Sequence, residues 1–164
     1  MLFRSRGDRP AARARLEALH ARALEARGER DPKVMALLNQ LAITTARAGD
    51  VPAGRALAEA LYPVRREVLG ADHEDVLATM ANLAVMRAMS GDLDQAIELQ
   101  RELAAIQARR LGAEHPLTLD QRSNLANMLN ELDRVDEAEP MMREVLAARE
   151  RVLGPGAAGT LRSR

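Results

Sequence analysis

Apolar residues recur along this chain at helical spacing, in paired blocks separated by glycine and acidic residues. Ala12, Leu16, Leu19 and Ala23 share one helical face, as do Val34, Leu38, Leu41, Ala42 and Thr45. Val76, Met80, Leu83 and Ala84 form the next stripe, followed by Ala96, Leu99, Leu103 and Ile106. Leu125, Ala126 and Leu129, then Ala138, Met142, Val145 and Leu146, complete the series. The spacing predicts a helix from about Pro10 to Arg27, one from Asp31-Pro32 to about Ala48, and a partner from Pro52 towards Val68. Two further helix pairs follow, within 72–110 and 115–152.

The blocks repeat. Leu111-Gly112-Ala113-Glu114-His115 echoes Leu69-Gly70-Ala71-Asp72-His73 at a separation of 112 − 70 = 42 residues, and Gly28 and Gly154 fall in the same register. A second punctuation lies inside each unit, at Gly7-Asp8-Arg9-Pro10, Gly49-Asp50-Val51-Pro52 and Gly91-Asp92. An acid just before a helix complements its dipole, and proline suits the first turn, where its missing N–H has no partner to lose. The third unit departs from the pattern. Asp133 replaces the turn glycine, which predicts a looser turn, and Arg122 stands where Leu38 and Met80 stand in the earlier units. Pro63 lies within the predicted helix from Pro52, and at about 3 kcal/mol for a helix forced straight it predicts a kink or break near Leu61.

Composition agrees with an all-α array. The apolar residues are nearly all Ala, Leu, Val and Met, with Phe3 and Tyr62 the only aromatics, and Arg and Glu are strong helix formers. The 24 basic and 24 acidic residues cancel, which removes the electrostatic footprint of a nucleic-acid or membrane-surface binder. Residues 1–30 nevertheless hold eight Arg against Asp8, Glu17, Glu25 and Glu29, while 116–150 hold eight acids against four Arg. There is no cysteine, so disulfide and thiol chemistry are excluded. No apolar run approaches the ~18 residues of a membrane span, and the first residues lack a signal-peptide segment; a cytoplasmic location is expected.

Asn82-Leu83-Ala84 with Gly91-Asp92 and Ala96, and Asn124-Leu125-Ala126 with Ala138-Glu139-Pro140 and Arg149-Glu150-Arg151-Val152-Leu153-Gly154, carry a family signature. It resembles the tetratricopeptide repeat in its long, kinesin light chain type, over about residues 7–154. The resemblance is weaker in the first unit, where Gln40-Leu41-Ala42 replaces Asn-Leu-Ala and Gly54 replaces the packing alanine. Armadillo and HEAT repeats share a period of roughly 40–47 residues; the turn signature favours the tetratricopeptide pattern. The resemblance implies a right-handed α-solenoid of antiparallel helix pairs: a half-repeat at 10–28, repeats at 29–70, 71–112 and 113–153, an N-terminal tail at 1–9 and a flexible C-terminal tail at 154–164.

Candidate chemistry is sparse. His73 and His115 recur at one corner a full repeat apart, without the convergent ligands zinc needs, and are read as capping or packing residues. His20, in register with Tyr62, is read as a half-buried helix residue. Glu74 with Asp75, and Asp136 with Glu137, fall in first helical turns, where the dipole stabilises acids. No enzyme activity, metal or cofactor is expected.

The resemblance implies a non-enzymatic protein-interaction module that holds an extended peptide or partner helix in a concave groove lined by the first helix of each pair. The implied groove residues are Asn39, Gln40, Ile43 and Arg47, then Ala78, Asn82, Val85 and Met89, then Asp120, Ser123, Asn124, Asn127 and Glu131. Amides offer a backbone both donor and acceptor; the apolar middle and acidic third unit suit a ligand with an apolar anchor and a basic flank. Two alternatives stand beside this: a homo-oligomeric scaffold assembled through uncapped terminal helices, and a fragment of a larger signalling regulator such as the sensor region of an ATPase.

Overall fold

The structure, a computed structural model, describes residues 8–154. The tails expected at 1–9 and 154–164 lie outside the described residues apart from positions 8, 9 and 154, as does the turn glycine Gly7. Among the described residues there are seven α-helices and no strand: α1 (Asp8–Arg27), α2 (Pro32–Arg47), α3 (Val51–Leu69), α4 (Glu74–Met89), α5 (Leu93–Leu111), α6 (Pro116–Glu131) and α7 (Val135–Leu153). No helix among them is long and apolar enough to cross a membrane. Two compact units divide between Asp92 and Leu93, so α1 to α4 belong to the first and α5 to α7 to the second.

In the first unit each helix packs on the next, and α2 also touches α4. The predicted stripes supply the core: Val34, Leu41, Ala42 and Thr45 of α2 and Val76, Met80, Leu83 and Ala84 of α4 are buried, with Ala58 and Leu61 of α3. α1 is different. Leu16, His20 and Ala23 are half-buried, whereas Ala12, Leu19 and Leu24 are exposed.

The pairing of α2 with α3 is close enough to exclude a side chain. A Cβ on Gly54 would lie 2.7 Å from the Ala42 carbonyl oxygen and 2.8 Å from the Ala46 Cβ. Glycine at this place, which weakens the family signature, is therefore what the approach of the two backbones demands.

Arg65 on α3 is buried to 2% exposure and joins three helices. Its guanidinium donates to the Asp75 carbonyl at 3.0 Å, the Thr79 hydroxyl at 2.8 Å and the Met35 carbonyl at 3.2 Å. Burial pushes its pKa down, and the Asp75 charge opposes that.

The break expected near Leu61 does not occur, and α3 runs unbroken through Pro63. Pro63 lies on the exposed side, while the flanking turns are held in place by buried Leu61 and Arg65. Packing thus offsets the lost backbone bond.

In the second unit α6 packs against both α5 and α7. Ile97, Leu125, Leu129 and Ala138 form one core cluster, with Met128, Leu132 and Met141 against it; Leu119, Val145 and Ala148 form another. Buried Gln100 donates to the Gln121 side-chain oxygen at 2.5 Å. Arg122, off the apolar pattern, pairs with Glu144.

The turn at Asp133 is not looser than its glycine counterparts. Asp133 takes φ 56, the left-handed conformation that Asp tolerates better than most residues. Arg134 N–H then reaches the Leu129 carbonyl at 2.9 Å, as Asp50 reaches Thr45 at 3.2 Å and Asp92 reaches Arg87 at 3.0 Å. The same closing hydrogen bond forms in all three turns.

Acids cap the starts of α2 and α3. Asp31 accepts from Lys33 N–H at 2.9 Å and Asp50 from Ala53 N–H at 3.2 Å. Exposed ion pairs join helix to corner: Arg30 to Glu67 at 2.7 Å, and Arg151 to Glu114 at 2.5 Å. These two pairs occupy equivalent repeat positions with the charges exchanged, since 30 + 84 = 114 and 67 + 84 = 151. In the first unit Arg13 reaches Asp50 at 3.1 Å, and its counterpart Arg55 pairs with Asp92. Glu59 accepts from Arg55 at 3.0 Å and from Arg87 at 3.1 Å.

Gly54→Ala is expected to lower stability by about 1–2 kcal/mol, since a clash with backbone puts overpacking in the upper part of its usual range, about 2–3 kcal/mol, and alanine's better helix propensity returns about 1 kcal/mol. Denaturant unfolding of the variant checks this, and unchanged stability would show that the α2–α3 approach is loose.

Acid sensitivity follows from three carboxylates. Burial would raise the pKa of Glu59, but hydrogen bonds from Arg55 and Arg87 outweigh it and hold the group low. The hydrogen bond from Arg134 does the same for Glu137. In Asp31 burial also opposes, and the backbone N–H groups of Lys33 and Val34, with Arg27, prevail. Each folded pKa lies below its unfolded value, so the stabilisation is complete above the ordinary carboxylate range of about 4 and is lost as pH falls through it. Melting temperature is expected to hold steady down to about pH 5 and then fall. Glu59→Gln should flatten that acid limb in a pH series of thermal melts.

Candidate functional site

The helix start that carries His73 is built by its imidazole. Nδ1 accepts from Asp75 N–H at 3.1 Å, and the His115 Nδ1 accepts from Leu117 N–H at 3.3 Å. An accepting Nδ1 places the proton of each neutral ring on Nε2. Both histidines therefore cap the first helix of a pair, as the sequence suggested. Among the described residues no three His, Cys, Asp or Glu side chains converge as a metal-holding group.

The first unit contains a cleft of about 280 Å³ between α2 and α4. Ile43, Ala46 and Arg47 line one side; Asn82, Val85, Met86 and Met89 line the other. Helical spacing explains the grouping, because residues three, four and seven apart lie on one face. Five of the residues implied by the family resemblance meet here: Ile43, Arg47, Asn82, Val85 and Met89. Ala46 and Met86 were missed, and both are buried and form the floor. Their signal was present in the sequence, since each lies three or four residues from a named lining residue.

The rim is unusually apolar for a surface. Val85 is 59% exposed and Met89 62%, the most exposed large apolar side chains described. Such a cluster in a concavity marks an interaction site more than scattered surface residues do. Asn82 is half-buried at the cleft edge.

The other implied residues lie apart from the cleft. Gln40 is exposed and its amide lies 3.5 Å from the Thr44 hydroxyl, while the Asn39 Oδ1 is buried without a partner. Ala78 is exposed. In the second unit Asp120, Asn124, Asn127 and Glu131 are exposed along α6, with Ser123 half-buried beside them. Asp120 is engaged by buried Arg149 at 2.6 Å. Of the implied residues on α6, Asn124, Asn127 and Glu131 are the exposed polar ones that remain.

Two further clefts have similar volumes and different chemistry. One of about 300 Å³ in the second unit is lined by Glu114, Arg122, Glu144 and Arg151, which pair with one another. The other, about 250 Å³, lies in the first unit against Arg55 and Glu59, also paired. Filling either would strip water from ion pairs, with only small alanine or proline side chains to offer apolar contact. The α2–α4 cleft has Arg47 as its one charged lining residue, beside Ile43, Val85, Met86 and Met89.

Two tetratricopeptide repeat models match the sequence, over residues 33–109 and 118–156, and between them cover well over half of the chain. No curated protein matches it. Among solved structures, a Podosopora anserina protein assigned as a kinesin light chain with nearly identical TPR-like repeats superposes with a TM-score of 0.88 at 27% identity, over 96% of this chain and 74% of that one. A single-substitution variant of that protein gives the same values. BtubC (BKLC) from P. vanneervenii is similar in fold, with a TM-score of 0.71 at 19% identity; the alignment covers 97% of this chain and 63% of that one.

Proposed function

Because the chain belongs to the tetratricopeptide repeat family, in its kinesin light chain type with that family's all-α solenoid fold, we propose that it is a protein-interaction module holding an extended peptide or partner helix in the α2–α4 cleft. The observation that carries the reading is the exposure of Val85 and Met89 beside Ile43. A partner's apolar side chain seated there removes those surfaces from water, at about 25 cal/mol for each Å² buried. Asn82 supplies both a donor and an acceptor to the partner's backbone at the cleft edge. On α6, Asn124, Asn127 and Glu131 offer a separate polar and acidic surface suited to a basic segment. No catalytic role is part of this reading.

A second reading, self-association, is favoured by exposed Leu19 and Leu24 on α1, and by the opposite charge surpluses of residues 1–30 and 116–150. Light scattering over a concentration series decides it, since a constant monomer mass rejects the reading.

The groove is tested by selecting short displayed peptides on the protein and measuring the winners by calorimetry. Enrichment of a large apolar residue is expected. Val85→Asp should weaken binding about tenfold or more, because it sets a carboxylate against the anchor. The Asn82→Ala, Asn124→Ala double variant should weaken it less. If both variants fold normally and keep full affinity, the cleft is not the binding site.

A further inference from the structure

We propose that Met89 is a modification site, at which a peroxide oxidises the thioether to a sulfoxide and turns the cleft from apolar to polar. The switch in binding rests on the groove reading above; the selective oxidation does not.

Exposure separates Met89 from its fellows. Its side chain is 62% exposed, whereas Met35, Met80 and Met86 are buried and Met128, Met141 and Met142 are half-buried. Thioether oxidation follows access, so among the described methionines Met89 meets a dissolved oxidant first. The chain has no cysteine, so no thiolate competes for the same oxidant.

Position adds a second argument. Equivalent positions one repeat either side hold Arg47 and Glu131, since 47 + 42 = 89 and 89 + 42 = 131. All three are exposed near the end of the first helix of a pair. Where the flanking repeats carry charge, this one presents a soft apolar group that a single oxygen atom converts into a strong acceptor.

The chemistry balances with hydrogen peroxide as oxidant. A sulfur lone pair attacks one peroxide oxygen, the O–O bond breaks, and an S=O bond forms. The other oxygen leaves as water after proton transfer. Sulfur loses two electrons and the peroxide gains them. Met89 shares the cleft with Ile43, Val85 and Asn82, so the new dipole lies where a partner's apolar anchor would be buried.

The test treats the whole protein with limiting hydrogen peroxide, maps sulfoxides by mass spectrometry, and titrates the treated protein with a peptide selected as above. Met89 should be modified on the order of tenfold faster than the buried methionines. Peptide affinity should fall about tenfold and return after treatment with a methionine sulfoxide reductase and a dithiol. The same loss is expected in a Met128→Leu, Met141→Leu, Met142→Leu variant, and Met89→Gln should reproduce it without oxidant.

Sulfoxide appearing at Met89 no sooner than at the half-buried methionines overturns the modification site. Full affinity in protein whose Met89 is oxidised overturns the switch. If Val85→Asp also leaves affinity intact, the groove reading fails with it, while a lead for Met89 in the oxidation map still supports the modification site.

Discussion

Everything in the first unit depends on how closely α2 and α3 approach. The chain has almost no aromatic residues, so it cannot fill wide gaps between helices. It brings backbones together instead, and at Gly54 there is no room for even a methyl group. That contact sets where the far side of α2 lies, and hence how Ile43, Ala46 and Arg47 face α4. Ala46 belongs to both surfaces: it meets Gly54 on α3 and forms part of the cleft floor towards α4.

Much of this was legible in the sequence because it is local. The helices follow from apolar spacing, and their starts follow from acids, prolines and the two corner histidines, all within a few residues of what they control. What was not legible depends on packing between helices. Pro63 reads as a breaker by local rules, yet the burial of Leu61 and Arg65 holds the helix together around it. Asp133 reads as a defect until its left-handed backbone completes the turn. Arg65 gave no sign that it would be buried, since its acceptors come from Met35 on one helix and Asp75 and Thr79 on another.

The candidate site divides along the same line. Ile43, Arg47, Asn82, Val85 and Met89 were found through the family resemblance and repeat spacing, and the structure gathers them at one cleft. Asp120 was named by the same logic, but Arg149 had already claimed its carboxylate from a neighbouring helix. Spacing assigns a residue to a face; it does not reveal which partner reaches that residue first.

The exchanged ion pairs give the first and third hairpins a way to be told apart. Similar hairpins in one chain risk pairing the corner of one with the closing helix of another. Here such an exchange would set Arg30 against Arg151 and Glu67 against Glu114. Each correct pair is exposed and worth at most about 1 kcal/mol, but like charges turn that small gain into a loss. The reversal works like a keyed connector between the first hairpin and the third: each of their corners accepts its own closing helix and repels the other's.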